Sequence, residues 1–152
     1  MLASDTSNFE ISSIPLGFKG TVNLLIKSND IDEFNIPMFV IKGIKPGKII
    51  GVLGGVHGDE YEGPQAIRDL YDNLEPNQLT GTFLGVPHSN PPAFSVGTRV
   101  SPIDGLNLAR IFPGNQNGSL TEKIAYSLGT NVIRHADFFI DLHSSGSYIS
   151  MP

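Results

Sequence analysis

The residues best suited to chemistry in this sequence are two histidines and a glutamate. His57-Gly58-Asp59-Glu60 sets an imidazole and a carboxylate three residues apart, where an apolar run gives way to a helical pattern. Side chains so spaced can converge on one ion. His143, in DFFIDLHSSG, stands at the end of a second run so apolar that a polar residue there needs a reason. Two imidazoles and one carboxylate leave a fourth position for water, the pattern of catalytic zinc rather than of a closed structural site. Zinc in such a site lowers the pKa of water and polarises a carbonyl. Alone, H-x-x-E describes a helix-start glutamate beside an incidental histidine equally well. The glycines of GGVHGDE, which permit close backbone approach, favour the metal reading. With no cysteine in the chain there is no sulfur ligand, thiolate nucleophile or disulfide, so a metal site must draw on His, Asp and Glu.

Arg99 and Arg110 sit in GTRVSPIDGLNLARIFPG. Guanidinium groups suit a carboxylate ligand or a developing oxyanion, because they present a rigid fork of donors that stays protonated. Read from charge alone, both are as well explained as solvated residues or as ties that hold the loop. Asp59 and Glu62, near the start of the helix, suit capping or outer-shell positions. His88 reads as a solvated or hydrogen-bonded loop histidine, and His135 suits the negative end of a helix. Phe94, Phe112 and Tyr148 fit either a pocket lining or core packing.

The elements that must position these groups follow from periodicity. Residues 20–27 (GTVNLLIK) and 35–42 (NIPMFVIK) read as strands joined by the polar loop 28–34. Lys45-Pro46-Gly47 reads as a turn leading into KIIGVLGGV, a near-continuous apolar run of the kind found in parallel strands covered on both faces. Ile67, Leu70, Tyr71 and Leu74 follow helical spacing, with Pro64 in the first turn. Residues 81–87 form a further strand, residues 88–118 a long Pro/Gly/Asn-rich loop, and residues 119–134 a capped helix with Ser119 or Thr121 at its N-cap. Residues 137–142 (DFFIDL) read as a final buried strand. Strands alternating with helices predict an α/β sheet whose ligands bind beyond the carboxyl ends of its parallel strands, where His57 and His143 both fall.

At 152 residues and 39% hydrophobic composition the chain can bury one core. Its net charge of −5, with no basic run, argues against nucleic acid or an anionic membrane as partner. The N-terminus lacks the charged and apolar regions of a secretory signal, and the most apolar stretch is far shorter than the roughly 20 residues that cross a bilayer, so a cytoplasmic location is expected.

GGVHGDEYEG, NPPAFSVGTRVSPIDGLNLARIFPG and DLHSSG, in this order, resemble the signature blocks of the succinylglutamate desuccinylase/aspartoacylase family, within the zinc carboxypeptidase-like superfamily. The resemblance runs from about Gly51 to Gly146. It implies a three-layer α/β/α fold around a mixed, largely parallel sheet. It makes His57, Glu60 and His143 the ligands of one Zn2+ per chain, Arg99 the catalytic group that polarises the scissile carbonyl, and Arg110 the binder of the substrate carboxylate. Relatives commonly read N-L-N-R where this chain has Asn107-Leu108-Ala109-Arg110, so one amide beside the substrate is absent. Asn107 stands where relatives often carry Asp and is expected beside His57 and the substrate. The implied activity is hydrolysis of an N-acyl amino acid or similar small amide bearing a carboxylate. The alternatives are a carboxypeptidase acting on peptides and a non-catalytic metal- or anion-binding module. A homo-oligomer is also among the expectations. Residues 1–48 read as a β extension with the first strands of the domain, and 49–152 as the N-terminal part of a hydrolase domain truncated after its third ligand. The family's general base, a glutamate, follows the third ligand by a long interval, so a chain ending at Pro152 is expected to be inactive alone.

Overall fold

The computed structural model describes residues 5–6, 9–26 and 34–148. Six strands, β1 (Asp5–Thr6), β2 (Phe18–Ile26), β3 (Phe34–Lys42), β4 (Lys45–Leu53), β5 (Thr80–Val86) and β6 (Phe138–Asp141), form one sheet in the order β1-β2-β3-β5-β4-β6. The sheet is mixed. β1 is parallel to β2, the β2–β3 and β3–β5 pairs are antiparallel, and β5, β4 and β6 are mutually parallel. The stretch 28–33 of the expected loop between β2 and β3 lies outside the described residues.

Helices cover both faces, giving the expected three layers. Strand residues alternate between the two faces. Ile36, Met38 and Val40 of β3, Leu84 of β5 and Leu53 of β4 join Ile124, Ala125 and Leu128 of α3 (Leu120–Asn131) in one core. Phe39, Ile41, Val52 and Phe83 point the other way and pack with Ile67 of α1 (Glu62–Asn73). Tyr71 of α1 stacks on Phe39 with ring centroids 4.2 Å apart. The apolar run of β4 is thus covered on both sides, as its sequence predicts.

Four local expectations are corrected. Lys45-Pro46-Gly47 does not turn the chain but opens β4, whose pairing with β5 shifts register between Lys45 and Ile49. An irregular strand start tolerates Pro and Gly because few ladder bonds are needed there. The loop after β5 contains a short helix, α2 (Pro91–Val96), with Asn90 as N-cap accepting from the Ala93 amide at 3.4 Å, Pro91 at the first helical position and Gly97 in the left-handed conformation after the end. β6 is not buried. Among the described residues it pairs with β4 alone, and Phe138 and Ile140 are 61% and 42% exposed. Leu70, on the expected apolar face of α1, is exposed as well. An apolar run specifies strand but not the strand's place in the sheet.

The loop that follows α2 is tied to α3 by Asp104. Its carboxylate accepts from the Thr121 amide at 2.9 Å and from the Thr121 hydroxyl at 2.7 Å, supplying from outside the helix a cap for the first turn. Burial pushes the Asp104 carboxyl up, but these and neighbouring hydrogen bonds outweigh it and hold the pKa below the ordinary range. A carboxyl with a depressed folded pKa stabilises above its unfolded value, near 3.9, and loses that contribution as pH falls through the folded value. Asp104→Ala is therefore expected to cost about 1–2 kcal/mol near neutral pH. Chemical denaturation across pH should show the gap between wild type and variant shrinking below about pH 4.

Candidate metal centre

His57 and His143 follow adjacent parallel strands. The chain leaves β4 after Leu53 and reaches His57 four residues on, in a turn that precedes α1. It leaves β6 after Asp141, and the Leu142 amide donates to the Leu53 carbonyl at 2.9 Å, so His143 emerges beside the end of β4. The His57–Glu60 turn packs against the backbone of α2 at Gly58. A Cβ on Gly58 would lie 2.1 Å from the Ala93 carbonyl carbon, so only glycine permits this approach. The Gly58 amide also donates to the Thr98 carbonyl at 2.9 Å, which brings Arg99 alongside.

The ligating atoms of His57, Glu60 and His143 all lie within 4.8 Å of one another. Glu60 is 2% exposed and at the centre of the group. Its Oε1 lies 2.8 Å from His57 Nδ1, and its Oε2 lies 2.9 Å from His143 Nδ1. Oε2 also accepts from the Ser144 amide at 2.9 Å, and Oε1 from Arg99 Nη1 at 3.3 Å. The other nitrogen of each ring is engaged on the far side. His57 Nε2 lies 3.2 Å from Asn107 Oδ1, and His143 Nε2 lies 2.8 Å from Asp141 Oδ2.

These outer contacts decide the tautomers. Asn107 Oδ1 accepts from the Ala109 amide at 3.0 Å, which identifies that atom as the oxygen, and a carboxylate such as Asp141 only accepts. In the neutral form that can bind a metal, both histidines therefore carry hydrogen on Nε2 and turn the Nδ1 lone pair toward Glu60. Two lone-pair nitrogens facing two carboxylate oxygens repel unless protons or a cation lie among them. The arrangement fits a metal ion, with outer acceptors that orient each ring and raise its basicity. A tetrahedral site with ligands about 2.0–2.1 Å from the metal needs donors roughly 3.3 Å apart, which lies between the 2.8 and 2.9 Å contacts here and the 4.8 Å that bounds the group.

Electrostatics agree. Burial pushes the Glu60 carboxyl up, but the Ser144 amide, the two histidines and the charge at His57 more than offset this, leaving it below the ordinary carboxylate value. Burial pulls His143 down, and its bonds and attraction to Asp141 and Glu60 more than compensate, leaving it above the ordinary histidine value. A site that raises the proton affinity of one ligand and keeps another anionic attracts cations generally.

The structure brings together five of the six residues singled out in the sequence: His57, Glu60, His143, Asn107 and Arg99. Arg110, the sixth, lies three residues after Asn107 in a short 3-10 turn (Leu108–Arg110); it is exposed, its amide donates to the Asn107 carbonyl at 2.9 Å, and its guanidinium makes no hydrogen bond among the described residues. Asp141 was missed, although the D-x-H of DLH places a carboxylate on the same face of an extended chain as its histidine. Asp59 and Glu62 both reach the segment after His143, Asp59 through Ser147 and Glu62 through the Ser144 hydroxyl. His88 lies tilted against Phe94 with ring centroids 4.1 Å apart, and Phe94 packs edge-on against Tyr61. Phe112 packs against the α3-side core.

Fold and cluster together define an α/β/α domain with a His-Glu-His group that could hold a metal ion at the carboxyl ends of its parallel strands. Residues 46–152 match the succinylglutamate desuccinylase/aspartoacylase catalytic domain, and the chain belongs to that family. It is 40% identical over 145 residues to the N-alpha-acetyl-L-2,4-diaminobutyric acid deacetylase of Halomonas elongata, covering 94% of this chain and 41% of that protein. An aspartoacylase family protein from Mesorhizobium loti superposes with a TM-score of 0.78 at 34% identity, covering 88% of this chain and 43% of that one. The product-bound ectoine utilization protein EutE (DoeB) from Ruegeria pomeroyi gives 0.74 at 38% identity, with 87% and 42% covered. The chain spans about two fifths of the length of these relatives. Among the described residues no helix is long and apolar enough to cross a membrane.

Proposed function

We propose that the protein carrying this chain is a zinc-dependent deacylase that hydrolyses the amide bond of a small N-acyl amino acid. The observation that carries the reading is the convergence of two Nε2-anchored histidines on one buried carboxylate. His57, Glu60 and His143 would hold the ion, a donor set of two imidazoles and a carboxylate that suits zinc with an open position. Bound there, zinc would lower the pKa of water and polarise the acyl carbonyl. Asn107 and Asp141 keep the Nε2 protons in place and so present Nδ1 of each ring to the ion. Arg99, beside Glu60 but 44% exposed, is free to donate to the acyl oxygen as negative charge develops on it. Arg110 is the group assigned to the substrate carboxylate. None of the carboxylates around the cluster is assigned as general base, since Asp59, Glu62 and Asp141 all already accept hydrogen bonds that hold the site together.

The relative from Halomonas elongata makes an Nα-acetylated amino acid the first substrate to try. Acetate release from Nα-acetyl-L-2,4-diaminobutyrate and a panel of N-acyl amino acids should be measured with the complete protein. Turnover is expected to vanish on chelation and to return with zinc. Cleavage of peptides in preference to these amides would favour a carboxypeptidase, and metal binding without turnover on either would favour a binding module.

A further inference from the structure

Asp59 lies between two of the proposed ligands in sequence, yet it touches neither of their reacting atoms. It is only 4% exposed. Its Oδ2 accepts from the Ser147 amide at 3.2 Å and from the Ser147 hydroxyl at 3.1 Å, across 88 residues of chain. Its Oδ1 is buried without a hydrogen-bond partner, so the carboxylate gives up half its solvation to make this contact. The other side of the contact is equally specialised. Gly146 has φ +60°, and a Cβ there would lie 2.6 Å from Asp59 Oδ2 and 2.9 Å from its Cγ, so the turn fits against the carboxylate only as glycine.

The segment so held begins at His143. Its Ser144 amide donates to Glu60 and its Ser144 hydroxyl to Glu62, while Ser147 is held by Asp59. Three acidic residues before and at the start of α1 thus hold the segment after β6 at two points, Glu60 and Glu62 at Ser144 and Asp59 at Ser147. Glu60 fixes the near end of the segment and Asp59 the far end, which leaves His143 little freedom to turn away.

We propose that Asp59 is a positioning residue: with Gly146 it forms a latch that clamps the turn after β6 and thereby fixes the Nδ1 of His143 over Glu60. This rests on the reading of His57, Glu60 and His143 as a metal site, and the test separates the two. Metal affinity of the complete protein is measured by chelator competition with zinc, and the visible spectrum is recorded with cobalt in place of zinc. Asp59→Ala and Gly146→Ala are each expected to weaken metal binding by about 10- to 100-fold, the usual cost of losing an outer partner of a ligand. Both should alter the cobalt spectrum. Asp59→Asn keeps an oxygen that can accept from Ser147 and should recover most of the affinity. The double variant Asp59→Ala/Gly146→Ala should bind no more than about 3-fold more weakly than the poorer single variant, because both changes open one contact. Multiplied effects with an unchanged cobalt spectrum would show two unrelated structural losses and overturn the latch, as would wild-type affinity in both single variants. Failure of the unaltered protein to bind zinc would instead sink the metal reading itself.

Discussion

Replacing Glu60 with glutamine is expected to strip the site of its metal while leaving the fold intact. Glutamine has nearly the same shape, and Glu60 is buried, so packing changes little. The chemistry changes completely. The only anionic donor of the cluster becomes neutral, and an amide NH2 can now face a histidine Nδ1 as a donor in its own right. Arg99 loses the carboxylate at 3.3 Å, and the Ser144 amide loses its ionic acceptor. Zinc affinity should fall by more than the roughly 10- to 100-fold that loss of an outer partner costs, and hydrolysis should fall with it. Inductively coupled plasma analysis after gel filtration reads the first effect, and circular dichroism with a melting curve checks the fold. Full zinc occupancy in Glu60→Gln would remove this residue from the site.

The second large effect is expected at Arg99. Its guanidinium lies against the Glu60 carboxylate, yet an ion pair whose arginine is 44% exposed contributes little to stability. Arg99→Ala should therefore melt within a few degrees of wild type. Removing a donor aimed at a developing oxyanion typically lowers kcat by about 10²- to 10³-fold, and that is the loss expected here with KM little changed. Arg99→Lys should recover only part of it, because a single ammonium does not reproduce the planar fork. Arg110→Ala should show the opposite split, with KM raised on the order of 10-fold or more for carboxylate-bearing substrates and kcat less affected. Equal effects of both arginines on KM alone would assign both to substrate binding and leave the carbonyl without its proposed partner.

H-x-x-E after one near-continuous apolar run, and D-L-H after another, placed His57, Glu60 and His143 because strand ends at a parallel sheet converge by topology. Asn107 was anticipated beside His57 only through the family resemblance, because a contact across 50 residues leaves no local pattern. Asp141 escaped notice because a carboxylate inside an apolar strand reads as part of the strand, and only the rotation of the His143 ring shows what it serves. β6 was read as buried because hydrophobicity reports propensity for a sheet, while exposure depends on which neighbours arrive. The helix α2 was hidden in a Pro-rich stretch, although Asn90-Pro91 and Gly97 are start and stop signals once looked for together.

The most direct test of the metal centre is X-ray absorption at the zinc edge on the complete, zinc-loaded protein. One zinc per chain is expected, with nitrogen and oxygen neighbours at about 2.0–2.2 Å and the outer-shell scattering of two imidazole rings. In Glu60→Gln that signature should be lost along with the metal. A zinc shell made only of oxygen, with no imidazole scattering, would contradict the account.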